Sequence, residues 1–191
     1  MPRFFMLLLL LGLTTAAQAR WYLDSESSRI SFVASHAGQV ADVSRFLKLH
    51  GVVEEAGAAT VRVELETVST NVPQRDAELR RRVFQIAQYP EATITAALDT
   101  SHFMALADGA QQEVRLPLTL KLGGQQVVLN SELLVTRLDA FRFQVVTLAP
   151  VVLSMDDLDL AATLKPLAEL GGVDRINAAV PVTAVLIFTR R

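Results

Sequence analysis

Two stretches decide the fold: Thr60-Val-Arg-Val-Glu-Leu-Glu-Thr-Val-Ser69 and Glu113-Val-Arg-Leu-Pro-Leu-Thr-Leu-Lys-Leu122. In the first, Val61, Val63, Leu65 and Thr67 fall on one side and Arg62, Glu64 and Glu66 on the other. In the second, Val114, Leu116, Leu118, Leu120 and Leu122 alternate with Arg115, Thr119 and Lys121. A period of two is that of a strand with one face against an interior and the other in water. Gly123-Gly124 followed by a third such run at 125–136 predicts a hairpin. The pattern returns at 29–36, where Ile30, Phe32 and Ala34 share a side, and at 46–54, 92–99, 141–153 and 175–189, giving eight strands. Sequential antiparallel strands leave exposed edges unless they close on themselves, so the predicted fold is mainly β, an eight-stranded antiparallel barrel. Pro117 and Pro181 cannot donate to a ladder and predict edge-like or bulged positions.

Two segments break the alternation and predict one or two short helices. Asn71, Pro73 and Gln74 suit a capped helix start running to about residue 86, with Leu79, Val83 and Ile86 toward the body. Asp76 with Arg80, and Glu78 with Arg82, then form surface pairs one turn apart. The second segment, 159–170, spaces Leu160, Leu164 and Leu167 helically and stops at Gly171-Gly172, with Pro166 as a potential kink.

The chain has 191 residues, of which 51% are hydrophobic and 6% aromatic, with a net charge of -2 and no cysteine. That composition excludes disorder, disulfides, thiolate metal sites and a thiol nucleophile, and it gives no field for nucleic acid. Residues 1–19 read as a secretory signal peptide: Arg3, an apolar run from Phe4 to Leu13, and Ala17-Gln18-Ala19 as the small-x-small cleavage pattern. The apolar run is far short of the roughly 20 residues that span a bilayer. Cleavage after Ala19 leaves residues 20–191 as one exported, periplasmic domain.

Trp21-Tyr-Leu-Asp24, Ser28-Arg-Ile-Ser-Phe32 with His36, Arg75-Asp-Ala-Glu-Leu-Arg80 and Tyr89-Pro90 together resemble the hallmarks of the YceI-like family. The likeness runs over the whole mature chain, most specifically over residues 61–94. The resemblance implies a lipocalin-like barrel whose apolar pocket holds a long isoprenoid chain, quinone-type lipids included, with no cofactor and no agreed catalytic residues. Val43-Ser-Arg-Phe46 stands where the family usually has a Gly-x-Phe element.

Small barrels are filled by side chains or hold one small ligand, and periodicity does not separate the two. With the resemblance, a cavity is expected, lined by Ile30, Phe32, Ala34, Val63, Leu65, Leu118, Leu120, Val182, Ala184 and Phe188. The function expected is binding or carriage of a long-chain isoprenoid or other apolar lipid. Two rival readings stand beside it. One is an enzyme on a hydrophobic substrate with His36 as acid or base. The other is a structural, partner-binding domain, beside a membrane or a membrane redox protein. The three histidines lack metal-ligand spacing, no nucleophile elbow is present, and His36 is expected to be a hydrogen-bonded group at a strand end. Arg80-Arg-Arg82 reads as a solvated helix face, with a lipid phosphate contact as its alternative. Asp156, Asp157 and Asp159 lack the calcium-loop pattern and read as a loop entering a helix.

Overall fold

A computed structural model describes residues 20–36, 42–173 and 175–190; the expected signal peptide and its cleavage site lie outside the described residues. The strands are β1 Trp21–Leu23, β2 Arg29–Ala34, β3 Asp42–Phe46, β4 Leu49–Val53, β5 Ala58–Glu64, β6 Val68–Ser69, β7 Glu91–Ala97, β8 Gln111–Leu122, β9 Gln125–Asp139, β10 Arg142–Thr147, β11 Val151–Ser154 and β12 Ala179–Arg190. The helices are α1 Pro73–Glu78, α2 Thr100–Met104 and α3 Leu164–Gly171.

Hydrogen bonding runs β1–β4–β5–β7–β8–β9–β10–β12 and returns from β12 to β1, a closed ring of eight antiparallel strands. The remaining short strands are continuations of ring members. β12 pairs along one edge with β10 and then β11, and along the other with β1 and then β2. β3 and β4 likewise form one strand interrupted at Leu47-Lys48, since β2 pairs with the first and β1 with the second. The eight expected strands are therefore present, several of them broken.

One break falls in the stretch that decides the fold. The strand expected over 60–69 stops at Glu64, and Leu65–Thr67 form a 3₁₀ turn. The amide of Leu65 donates to the Pro90 carbonyl at 3.0 Å, and Thr67 Oγ1 accepts from the amides of Leu47 and Lys48 at 3.2 and 3.1 Å. These bonds replace the ladder and shift the phase, so Val68 is buried where Thr67 was expected inside.

The first helix also differs from expectation. Val72 occupies the cap position without a side-chain bond, and Asp76 is buried rather than paired with Arg80. Its carboxylate accepts from the amide and hydroxyl of Thr70 at 2.8 and 2.6 Å, fixing the turn into α1. Arg80 instead donates to the carbonyls of Glu66 and Val68 at 2.6 and 3.2 Å, while Glu78 accepts from Arg81 and Arg82. The helix widens over Leu79–Val83 into a π turn, with Phe84 N bonded to Leu79 O at 2.9 Å, and it places Leu79 and Val83 inside.

The second segment turns irregularly as far as Leu160 before Ala161–Thr163 and α3. Pro166 lies in the first turn of α3, where a missing N–H removes no intrahelical bond, so no kink is needed. Gly172, at φ 65°, ends the helix as the paired glycines predict. α2 has no counterpart in the sequence reading; Asp99 caps it by accepting from the Ser101 amide at 3.0 Å.

Both prolines sit where β-pairing is one-sided. Pro117 pairs with Asn130 of β9, whereas β7 reaches β8 only over Thr119–Lys121. Pro181 pairs with Val152 of β11, and β2 joins β12 only from Val182. The β8–β9 turn is built on Gly123 and Gly124 at φ 58° and 83°, the left-handed pair that a tight hairpin requires.

Candidate functional site

The barrel is hollow. A cavity of about 1000 Å³ runs through its interior. Alternation supplies the wall: Ile30, Phe32 and Ala34 from β2, Val63 and then Leu65 from β5 and the turn after it, Leu118 and Leu120 from β8, and Val182 and Ala184 from β12. These are nine of the ten expected lining residues. The tenth, Phe188, lines a smaller chamber of about 180 Å³ beyond. Ile30, Ile94, Leu118, Thr147 and Ala184 border both chambers and form the partition between them.

Two aromatics line the small chamber. Trp21 and Phe143 meet edge to face at 4.9 Å between ring centres, with Arg190 over the first ring and Arg137 over the second, each at 5.9 Å. Such pairs add to the burial of the rings themselves and keep the guanidinium heads at the rim.

The other end is polar. Along β2 and β3 the inward positions change from Ile30 and Phe46 through Phe32 and Ser44 to Ala34 and Asp42, with His36 two residues further on. Arg75 of α1 donates to Asp42 Oδ2 at 2.7 Å, and both line the cavity. Side-chain exposures of 31% for Arg75 and 45% for Asp42 show that this end meets water. α1 and the π turn add Leu79, Val83 and Phe84 to the wall, and α3 adds Leu164 and Leu167.

His36 departs from the expectation of a satisfied group. Its Nδ1 is buried without a hydrogen-bond partner among the described residues, and the residue lines the cavity. Its backbone bridges to Ile176, and Asn177 holds the preceding Ser35 through bonds of 2.8 Å to both its carbonyl and its hydroxyl. Asp42, Met155 and the α3 leucines Leu164 and Leu167 were not among the expected lining residues: alternation does not mark so short a strand as β3, and helical spacing does not say which side of the barrel end a helix covers. Among the described residues no group of three or more His, Asp or Glu side chains is placed to hold a metal ion.

The match that settles kinship is to the YceI-like domain, over residues 21–188. The chain belongs to the YceI-like family. A polyisoprenoid-binding domain from Saccharophagus degradans, implicated in plant cell wall breakdown, shares 32% identity over 90% of this chain and 98% of its own, with a TM-score of 0.87. BcnA of Burkholderia cenocepacia shares 12% identity over 86% of this chain and 98% of its own, with a TM-score of 0.63. The Campylobacter jejuni YCEI protein shares 14% over 82% of this chain and 88% of its own, with a TM-score of 0.51. The last two show the YceI-like fold alone. Among curated proteins no sequence match was found.

Proposed function

We propose that this chain is an exported periplasmic protein, cleaved after Ala19, that binds or carries a long-chain isoprenoid or quinone-type lipid without chemically altering it. The observation that carries this reading is the cavity of about 1000 Å³ with a wall made mainly of aliphatic side chains. Kinship with a polyisoprenoid-binding domain supports it. A cavity of about 150 Å³ takes one benzene ring, roughly 25 Å³ per carbon, so the space accommodates on the order of 40 carbons. At about 0.8 kcal/mol per buried CH₂ such a chain gains on the order of 30 kcal/mol, above the practical ceiling of roughly 18–21. Ordering the flexible tail and desolvating its head absorb the difference. A thin, bending hydrocarbon fits this wall better than a flat ring system.

Native mass spectrometry of protein purified from an exporting host tests the reading. The expected species begins at Arg20 and carries a lipid that solvent extraction releases. A protein that arrives without lipid and takes up none from a prenol mixture overturns lipid binding, and an intact mass that retains residues 1–19 overturns the export step.

A further inference from the structure

We propose that His36, beside the Asp42–Arg75 pair, forms a head-group site for an uncharged hydroxyl or carbonyl oxygen, in preference to a phosphorylated head. This rests on the lipid-binding reading and adds the chemistry of the other end of the ligand. Three observations converge on it. The polar side chains His36, Asp42, Ser44 and Arg75 gather at the end of the cavity that meets water, while the opposite chamber is apolar and lined by Trp21 and Phe143 among others. A tail threaded into the barrel therefore leaves its head among them.

The second observation is the Nδ1 of His36, buried in a cavity wall and without a hydrogen-bond partner among the described residues. Buried ring nitrogens are as a rule hydrogen-bonded, and imidazole either donates to a carbonyl or accepts from a hydroxyl according to its tautomer. The residue lines the cavity, and the oxygen of a bound head is the kind of partner that this nitrogen lacks among the described residues.

The third is charge. Arg75 is the guanidinium in this wall, and its Nη1 is already engaged by Asp42 at 2.7 Å. A phosphate arriving there meets the Asp42 carboxylate as well as the cation, and winning Arg75 means separating a formed pair. An uncharged head leaves the pair intact.

Calorimetry on the mature protein with three probes sharing one tail tests the assignment: geranylgeraniol, geranylgeranyl diphosphate and the corresponding headless hydrocarbon. The alcohol is expected to bind about five- to tenfold more tightly than the hydrocarbon, the worth of one buried hydrogen bond. His36→Phe, which keeps the ring's bulk, is expected to erase that margin and leave hydrocarbon binding unchanged. Asp42→Asn, which releases Arg75, is expected to strengthen diphosphate binding several-fold with little effect on the alcohol. Equal binding of alcohol and hydrocarbon, or the diphosphate binding most tightly to the unaltered protein, overturns the head-group site and leaves lipid binding standing. Equal losses for alcohol and hydrocarbon in His36→Phe also overturn it, since His36 then serves only the wall. Failure of all three probes overturns both readings.

Discussion

At the scale of single residues, backbone conformation constrains this barrel as firmly as its apolar wall does. Gly57 turns the chain between β4 and β5 at φ 89°, and a Cβ added there would lie 1.9 Å from the Leu98 carbonyl oxygen. That carbonyl cannot simply withdraw, because Leu98 donates its own amide to Gly57 O at 2.8 Å and so fixes the end of β7 against the turn. Gly57→Ala thus combines a strained left-handed backbone with a clash against main chain. It is expected to cost at least about 2 kcal/mol, read as a lowered urea midpoint at unchanged slope. Gly109→Ala serves as the comparison. It shares a positive φ of 80° but meets nothing within 4 Å, and it is expected to lose about 1 kcal/mol from strain alone.

At the scale of elements, β4 and β5 are joined on their solvent face by ionic contacts. His50 bonds Glu64 at 2.6 Å, and Lys48 lies 3.8 Å from the other carboxylate oxygen. The His50 hydrogen bond, aided by the charges of Lys48, His50 and Arg62 and only partly opposed by desolvation, holds Glu64 below its ordinary value of 4.5. A depressed carboxylate pKa stabilises the folded state above the unfolded value, and the gain is lost as pH falls through the folded value. Glu64→Gln is therefore expected to flatten the fall in stability below pH 4.5, with its largest deficit near neutrality. Urea midpoints at neutral and acid pH check this, and a parallel offset at both would refute it. How far such elements could be read from sequence depends on what enforces them. β8 and β9 are long, two-faced and joined by Gly-Gly, so alternation alone located them. The turn at Leu65–Thr67 and the burial of Asp76 arise from bonds to Pro90, Leu47, Lys48 and Thr70, which no local pattern encodes. The same distinction divides the site. Wall positions repeat every second residue along long strands and were legible, whereas Asp42 and the α3 leucines enter only through tertiary packing.

At the scale of the whole molecule, closure of eight strands sets a bore too wide for aliphatic side chains to fill, and where they do meet decides how far a ligand can penetrate. Ile94 is a member of the partition held on both sides, since it pairs with Val61 on β5 and Leu120 on β8 and borders both chambers. A tail entering from the polar end meets this ring before reaching the small chamber. Removing the Ile94 side chain joins the roughly 180 Å³ beyond it to the main cavity. At roughly 25 Å³ per carbon, that extra room suits about one further isoprene unit. Ile94→Ala, offered a ladder of prenols of increasing length, is therefore expected to shift its bound distribution about one unit longer in native mass spectra. The truncation also costs about 2–4 kcal/mol of stability, which ligand binding partly restores through mass action. Val128→Ala, an outward position on β9 at 66% exposure, is expected to leave both the distribution and the stability as they were. An unchanged ladder in Ile94→Ala would mean that the tail stops short of the partition, and that the polar end alone limits its length.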